Sequence, residues 1–222
     1  MKDPWGRAQR VAPTYFLDHI LPSLPSGLSV DDMLASIRRT GKKSQRFITR
    51  CGRWRGFSQN PASDTRNKES MFAHFAGMVD AIVRAGVARG AQSTMRLVQH
   101  LGQEEAPLND STLPDGCIIP AGGDNETWED IAAIGWYSKS ADATSTAAVS
   151  TPMQSHAHSL SLVQTIQRLQ RSLAHGMSNA RRRFMFGFTI RNREMDLWFM
   201  DPTQLIVSDP VDWITVRSSL LG

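Results

Sequence analysis

The chain has 222 residues, of which 41% are hydrophobic and 21% charged, and its formal net charge is +4. This composition is that of an ordinary globular protein with one substantial core or two small ones. No apolar run reaches the roughly 18 to 20 residues that span a bilayer, and the N-terminus lacks the apolar core of a secretory signal. We therefore expect a protein of the cytoplasm or nucleus that does not bind membranes.

The cysteines and histidines do not follow the spacing of a metal site. Cys51 and Cys117 are far apart, and neither has a second cysteine or a histidine at zinc-site spacing. His156 and His158 are two residues apart at a predicted helix start, where positions i and i+2 do not share a face. We expect two buried free thiols, no metal and no cofactor.

The first third of the chain contains three predicted helices. A short one covers residues 14–20, and a second covers residues 30–39 behind Ser29, a favourable capping residue. Residues 41–65 are basic, then polar, and are predicted as a loop. The longest helix covers residues 67–85 and carries an apolar stripe. The stripe consists of Met71, Phe72, Phe75, Met78, Val79 and Ile82.

A dense run of positive charge begins at the end of the second predicted helix. Its members are Arg38, Arg39, Lys42, Lys43, Arg46, Arg50, Arg53 and Arg55. No acidic residue interrupts them, and Phe47, Trp54 and Phe57 lie between them. Basic residues mixed with aromatic ones can follow a phosphate backbone and stack on bases. Nucleic-acid binding is therefore one hypothesis, and a solvated surface loop is the alternative.

The middle of the chain is predicted to contain three strands and a helix. The strands cover residues 94–101, 115–120 and 129–139. Residues 140–151 are rich in Ala, Ser and Thr and are predicted to be a connector. An amphipathic helix is predicted over residues 155–175. Its apolar side consists of Leu160, Val163, Ile166, Leu169 and Leu173.

Two apolar runs near the C-terminus predict a β-hairpin. They cover residues 184–190 and 195–200 and are separated by a polar turn at 191–194. In the second run, apolar and other residues alternate, so at least one face of the hairpin is expected to be buried. We expect this hairpin to supply the last pair of strands in the sheet.

These elements give the order α-β-β-β-α-β-β from the third helix onward. They predict an α/β (α+β) fold in which helices flank a mixed central sheet. We expect residues 1–65 to be a helical and loop extension and residues 66–222 to be a single α/β domain. The order resembles the core of the PD-(D/E)xK nucleases, the restriction-endonuclease-like fold.

That resemblance implies a metal site whose residues are only partly present. Asp115 opens the second strand, where such nucleases place their first carboxylate. On the next strand Trp136 fills the acidic position, and Lys139 comes one residue late, which places it on the opposite face. Glu69 could supply a helix-borne carboxylate, although a solvent-facing residue in a first helical turn is the alternative. We expect Glu69, Asp115 and Lys139 to be vestiges that bind Mg²⁺ weakly and do not cleave nucleic acid.

Residues 181–210 resemble the N-terminal region of the fungal-type protein kinases. In that family an RRF-x-FG-x-TI strand runs into an LW-x-x-D strand, a short turn and V-S-x-P. The matching residues are Arg182, Arg183, Phe184, Phe186, Gly187, Thr189, Ile190, Leu197, Trp198, Asp201, Val207, Ser208 and Pro210. Upstream, Trp128, Asp130 and Gly135 match a W-x-D-x-x-x-x-G-E-x-K strand. Pro202 stands where the family usually has arginine.

The resemblance implies a domain that precedes kinase catalytic lobes. The chain contains no glycine-rich phosphate loop, strand lysine, H-R-D loop or D-F-G aspartate of a kinase. We therefore expect a non-catalytic pseudoenzyme domain with a structural or protein-interaction role, whose partner is a set of kinase lobes or another protein. The alternative is a nucleic-acid-binding module on a degenerate nuclease-like scaffold, with DNA or RNA as its partner.

Overall fold

The computed structural model describes most of the chain and contains both helices and strands. The described residues are 8–40, 46–57, 61, 64, 66, 68–99, 114–122, 128–138 and 166–216. The helices are α1 (Pro13–His19), α2 (Val30–Arg39), α3 (Lys68–Val87) and α4 (residues 166–177). The strands are β1 (Gln9–Val11), β2 (Met95–Gln99), β3 (Gly116–Pro120), β4 (Ala133–Ser138), β5 (Met185–Arg191), β6 (Glu194–Met200), β7 (Leu205–Ser208) and β8 (Val211–Asp212).

The strands form one mixed sheet in the order β1-β7-β6-β5-β4-β3-β2, and β8 also pairs with β6. The β1/β7 and β4/β5 pairs are parallel, and the other pairs are antiparallel. The predicted α/β class is confirmed. None of the described helices combines the length and the apolar character needed to cross a bilayer.

The sheet separates two apolar cores, because successive side chains on a strand point to opposite faces. Tyr137 and Phe188 pack on the face covered by α3. Trp136 and Met185 pack on the other face, which α4 covers with Leu169 and other apolar side chains. Trp136 and Trp198 are both buried.

The three helices predicted in the first third of the chain are confirmed with small changes at their ends. The helix predicted over residues 155–175 is described from residue 166 onward, and its earlier part and the connector predicted at 140–151 lie outside the described residues. The side chain of Ser29 accepts a hydrogen bond from the amide of Asp32 at 3.3 Å, as expected of a capping residue. Helix α3 continues to Val87. Its apolar stripe is shorter than predicted, since Ile82 is 36% exposed.

The β5–β6 hairpin lies inside the sheet, so the expectation that it forms the last strand pair is wrong. Strand β4 pairs with β5 on one side, and β7 and β8 pair with β6 on the other. The turn is also tighter than predicted, because Arg191 and Glu194 are the last paired residues. Asn192 adopts φ +52°, a left-handed conformation that asparagine tolerates better than most residues.

Strand β4 is shorter than predicted, because residues 128–130 form a turn. Arg182 holds this turn. Its Nη2 donates hydrogen bonds to the carbonyl oxygens of Trp128 at 3.0 Å and Glu129 at 2.9 Å, and its Nη1 donates to that of Ile131. Partial burial lowers the pKa of Arg182. This arginine therefore ties the start of β5 to the chain that precedes β4.

Two glycines allow aromatic rings to approach the sheet closely. A Cβ atom at Gly116 would lie 2.1 Å from Cζ of Phe72, and one at Gly135 would lie 2.2 Å from Cζ of Phe188. Any side chain at either position would displace a buried ring. Gly135 thus has a packing role in the sheet.

The chain before residue 66 contributes to the same sheet and core. Strand β1 pairs with β7, and α2 packs on α3. Trp54 and Phe57 are buried in the core on the α3 side. The division into residues 1–65 and 66–222 stays a prediction.

The expectation for the thiols is half right, since Cys117 is buried and Cys51 is exposed.

We predict that the Asn192→Val variant is less stable than the native protein by about 1 to 2 kcal/mol, because a β-branched residue is strained in the left-handed region. The Asn192→Gly variant, in which φ +52° is unstrained, serves as the control and should be closer to the native protein. Urea unfolding followed by tryptophan fluorescence measures both. Equal stability of the two variants would contradict the assigned backbone conformation.

Candidate anion-binding pocket

Four arginines from two separate segments line one open pocket of about 480 Å³. Arg38 comes from the last turn of α2, and Arg46, Arg50 and Arg55 come from residues 46–57, which we call the basic loop. Ile48, Thr49 and Gly52 complete the described lining. No Asp or Glu is among these described lining residues, so four positive side chains and no negative one contribute to this part of the lining.

The basic loop is folded back on itself by hydrogen bonds across its base. The amide of Arg55 donates to the carbonyl of Phe47 at 2.6 Å, and the amide of Thr49 donates to the carbonyl of Arg53 at 2.7 Å. The Thr49 hydroxyl also accepts from the Arg53 amide at 3.1 Å. Gly52 closes the tip with φ +71°, a conformation that strains other residues. The loop predicted from the sequence is therefore an ordered turn in its described part.

The C-terminal segment anchors the basic loop to the sheet. The amide of Trp54 donates to the carbonyl of Ile214 at 3.1 Å, and the amide of Val216 donates to that of Gly52 at 2.7 Å. Arg53 forms a further antiparallel bridge with Thr215. The pocket is thus positioned by residues that lie more than 150 positions away in sequence.

Trp213 connects this anchor to the turn of the central hairpin. Its indole Nε1 donates to the carbonyl of Asn192 at 3.0 Å, and its amide donates to that of Arg193 at 3.2 Å. Arg193 Nη2 also forms an ion pair with Asp212 at 2.6 Å. No local sequence pattern around Trp213 indicates this link to the pocket.

The structure brings together only part of the predicted basic set. Arg39 is exposed beside Arg38 but does not line the pocket, and Arg53 lies outside the lining as well. Lys42 and Lys43 lie outside the described residues. Within the pocket, Arg46 has a buried Nε that has no hydrogen-bond partner among the described residues.

The predicted role of the aromatic residues in base stacking is wrong for two of the three. Trp54 and Phe57 are each only 5% exposed, and the Phe57 ring lies 4.5 Å from that of Trp213. They belong to the core and support the basic loop from beneath. Phe47 is partly buried, and the guanidinium carbon of Arg84 lies 5.7 Å from its ring centre.

Of the positions compared with the nuclease motif, the structure describes the side chains of Asp115 and Trp136 only. Asp115 Oδ2 accepts a hydrogen bond from the amide of Tyr137 at 2.7 Å, while Trp136 packs in the core on the opposite, α4 side. Lys139 and the side chain of Glu69 lie outside the described residues. Their convergence on one cleft stays a prediction. In the described part of the chain, no cluster of three His, Cys, Asp or Glu side chains could hold a metal.

Strand β4 also carries a buried phenol, the side chain of Tyr137. The hydroxyl of Tyr137 has no hydrogen-bond partner among the described residues. Burial, assisted by the negative charge of Asp64, raises the pKa of Tyr137 to about 12. Asp64 itself forms an ion pair with Arg66 at 2.5 Å. The folded state therefore favours the neutral phenol.

We predict that Tyr137→Phe leaves the free energy of unfolding at neutral pH unchanged or raises it by about 1 kcal/mol, because a buried hydroxyl without a partner is costly. The native protein should lose stability as the pH rises from the ordinary phenol pKa of about 10 towards 12, since the unfolded state releases its proton first.

The Tyr137→Phe variant should lack this part of the alkaline loss, whereas Tyr15→Phe, at an exposed position, should retain it. Urea unfolding of the three proteins at neutral pH and near pH 11 provides the measurement. A large loss of stability in Tyr137→Phe at neutral pH would show that the hydroxyl has a partner.

In comparison with known proteins, the chain matches no family model, no curated protein and no solved structure.

Proposed function

We propose that this chain is a non-catalytic binding domain that holds DNA or RNA by its phosphate groups in the arginine pocket. The observation that carries this proposal is the convergence of Arg38, Arg46, Arg50 and Arg55 on one cavity whose described lining includes no Asp or Glu. Guanidinium groups bind phosphate through paired, charge-assisted hydrogen bonds.

The distribution of charge favours a polymer with many phosphates over a single small anion. Arg39 is exposed next to Arg38, so positive charge continues beyond the pocket along the end of α2. Successive phosphates of a nucleic acid can meet such a surface together. The counterions that they release make binding strongly dependent on salt.

The relationship to the fungal-type protein kinases and the nuclease-like origin of the sheet are part of this proposal. Two residues of the resemblance have definite structural roles that support it. Arg182 holds the turn before β4, and Gly135 leaves space for Phe188. Asp115 lies at the start of β3, where the nuclease-like order expects a carboxylate. The domain would then precede kinase lobes in longer relatives.

A second candidate function is binding of a protein partner, such as kinase lobes, through an aromatic cluster. The rings of Phe184, Phe186 and Phe199 lie 5.4 to 6.0 Å apart, and Phe184 is 50% exposed. Exposed aromatic side chains in contact with one another are common anchors of protein interfaces. The cluster lies in the segment that resembles the kinase family.

We predict that the native protein binds a labelled oligonucleotide with an affinity that falls steeply with salt. Arg38→Ala and Arg50→Ala should each weaken binding and reduce the slope of log K against log salt by about one unit, because each removes one phosphate contact. Arg171→Ala removes the same charge from an exposed position on α4, which covers the other face of the sheet, and should have a smaller effect.

Fluorescence anisotropy over a salt series gives these slopes, and circular dichroism checks folding of each variant. Absence of salt-sensitive binding by the native protein would refute nucleic-acid binding. Equal effects of Arg38→Ala and Arg171→Ala would assign the binding to general surface charge instead of the pocket.

For the second candidate, we predict that Phe184→Gln abolishes binding to the catalytic lobes of a fungal-type protein kinase, because it removes the exposed member of the cluster. The substitution should leave oligonucleotide affinity unchanged. Titration calorimetry with purified lobes measures the interaction. Unchanged binding of the lobes by Phe184→Gln, or no binding by the native protein, would remove this candidate.

A further inference from the structure

A small apolar slot lies beside the arginine pocket. Its volume is about 210 Å³, and it lies between α2, α3 and the basic loop. Ile37, Phe47 and Ala85 supply its apolar surface. Thr40 and Arg84 add polar groups to the lining.

Adjacent residues of the same two segments line the slot and the pocket. On α2, Arg38 lines the pocket and the preceding Ile37 lines the slot. On the basic loop, Arg46 and Ile48 line the pocket, while Phe47 between them lines the slot. A ligand that occupied both cavities would therefore contact charged groups in the pocket and an apolar surface in the slot.

We propose that the pocket and the slot together hold one nucleotide unit, with its phosphate among the arginines and its base in the slot. This inference rests on the proposed function and specifies its ligand as a single strand. A base can enter the slot only when it is unpaired and turned out of a stack, as in single-stranded RNA or DNA. A cavity of about 210 Å³ is small for a base pair.

The lining of the slot has the chemistry that a base requires. The Phe47 ring is a stacking surface, and the planar guanidinium of Arg84, 5.7 Å from the ring centre, can stack on a base and donate hydrogen bonds to its edge. Ala81, Ala85 and Ala88 are small, which leaves the space open. The hydroxyl of Thr40, which donates to the Ser36 carbonyl at 2.8 Å, retains an oxygen that can accept a hydrogen bond.

The test compares a short labelled single-stranded RNA with the duplex of the same sequence, using the full chain. The native protein should bind the single strand more tightly. Ala88→Leu fills the slot from the exposed position just after α3 and should weaken single-strand binding about tenfold, the order of one stacked base, without changing the salt slope. Val87→Leu, at the adjacent exposed position outside the slot, is the matched control and should bind as the native protein does.

The outcomes separate this inference from the proposed function. Equal binding of single strand and duplex, or equal binding by Ala88→Leu and Val87→Leu, overturns the nucleotide site but leaves phosphate binding in place. Absence of salt-sensitive binding to either RNA refutes both. If a nucleoside monophosphate binds as tightly as the strand, the ligand of the site is a free nucleotide. If it binds much more weakly, the ligand is a nucleic-acid strand.

Discussion

The hydrogen bonds of Trp213 hold together the parts of the fold that form the candidate site. Its indole and its amide bind the carbonyl groups of Asn192 and Arg193, in the turn of the central hairpin. Its ring packs against Phe57 and Phe75 at centroid distances of 4.5 and 5.6 Å. One side chain therefore joins the sheet, the core beneath α3 and the end of the basic loop. A tryptophan suits this role, because it combines a large apolar surface with one hydrogen-bond donor.

Local patterns made much of this fold predictable from the sequence. Helix α2 follows from the cap at Ser29 and the spacing of its apolar residues, and the central hairpin follows from two apolar runs around a short polar break. No local pattern predicts strands β1, β7 and β8, because they are only two to four residues long, and the partner of β1 is also distant in sequence. Strand β1, for example, is stabilised by β7, where Gln9 pairs with Ile206. No local periodicity encodes such a contact.

The candidate site was predictable in its charge but not in its geometry. The sequence shows a run of arginines, but it does not show that Arg38 lines the pocket and Arg39 does not. That difference depends on the end of α2 and on the fold of the basic loop. The prediction that the aromatic residues within the run stack on bases is wrong for a related reason. Trp54 and Phe57 face the core, and the burial of a side chain in an irregular loop depends on the segment that packs against it. Here that segment is residues 213–216, which lie far along the chain.

The arginine pocket brings four like charges to one cavity. Like charges around one cavity repel one another, by about 1 kcal/mol for a pair 4 Å apart in water and by more near a low-dielectric surface. Backbone hydrogen bonds of Gly52 and Trp54 to the C-terminal segment maintain the loop despite this repulsion. Local arrangements that cost stability and are held by the surrounding scaffold are typical of functional sites. A bound phosphate would remove the repulsion among the arginines, so ligand binding and stability of the fold should be coupled through this pocket.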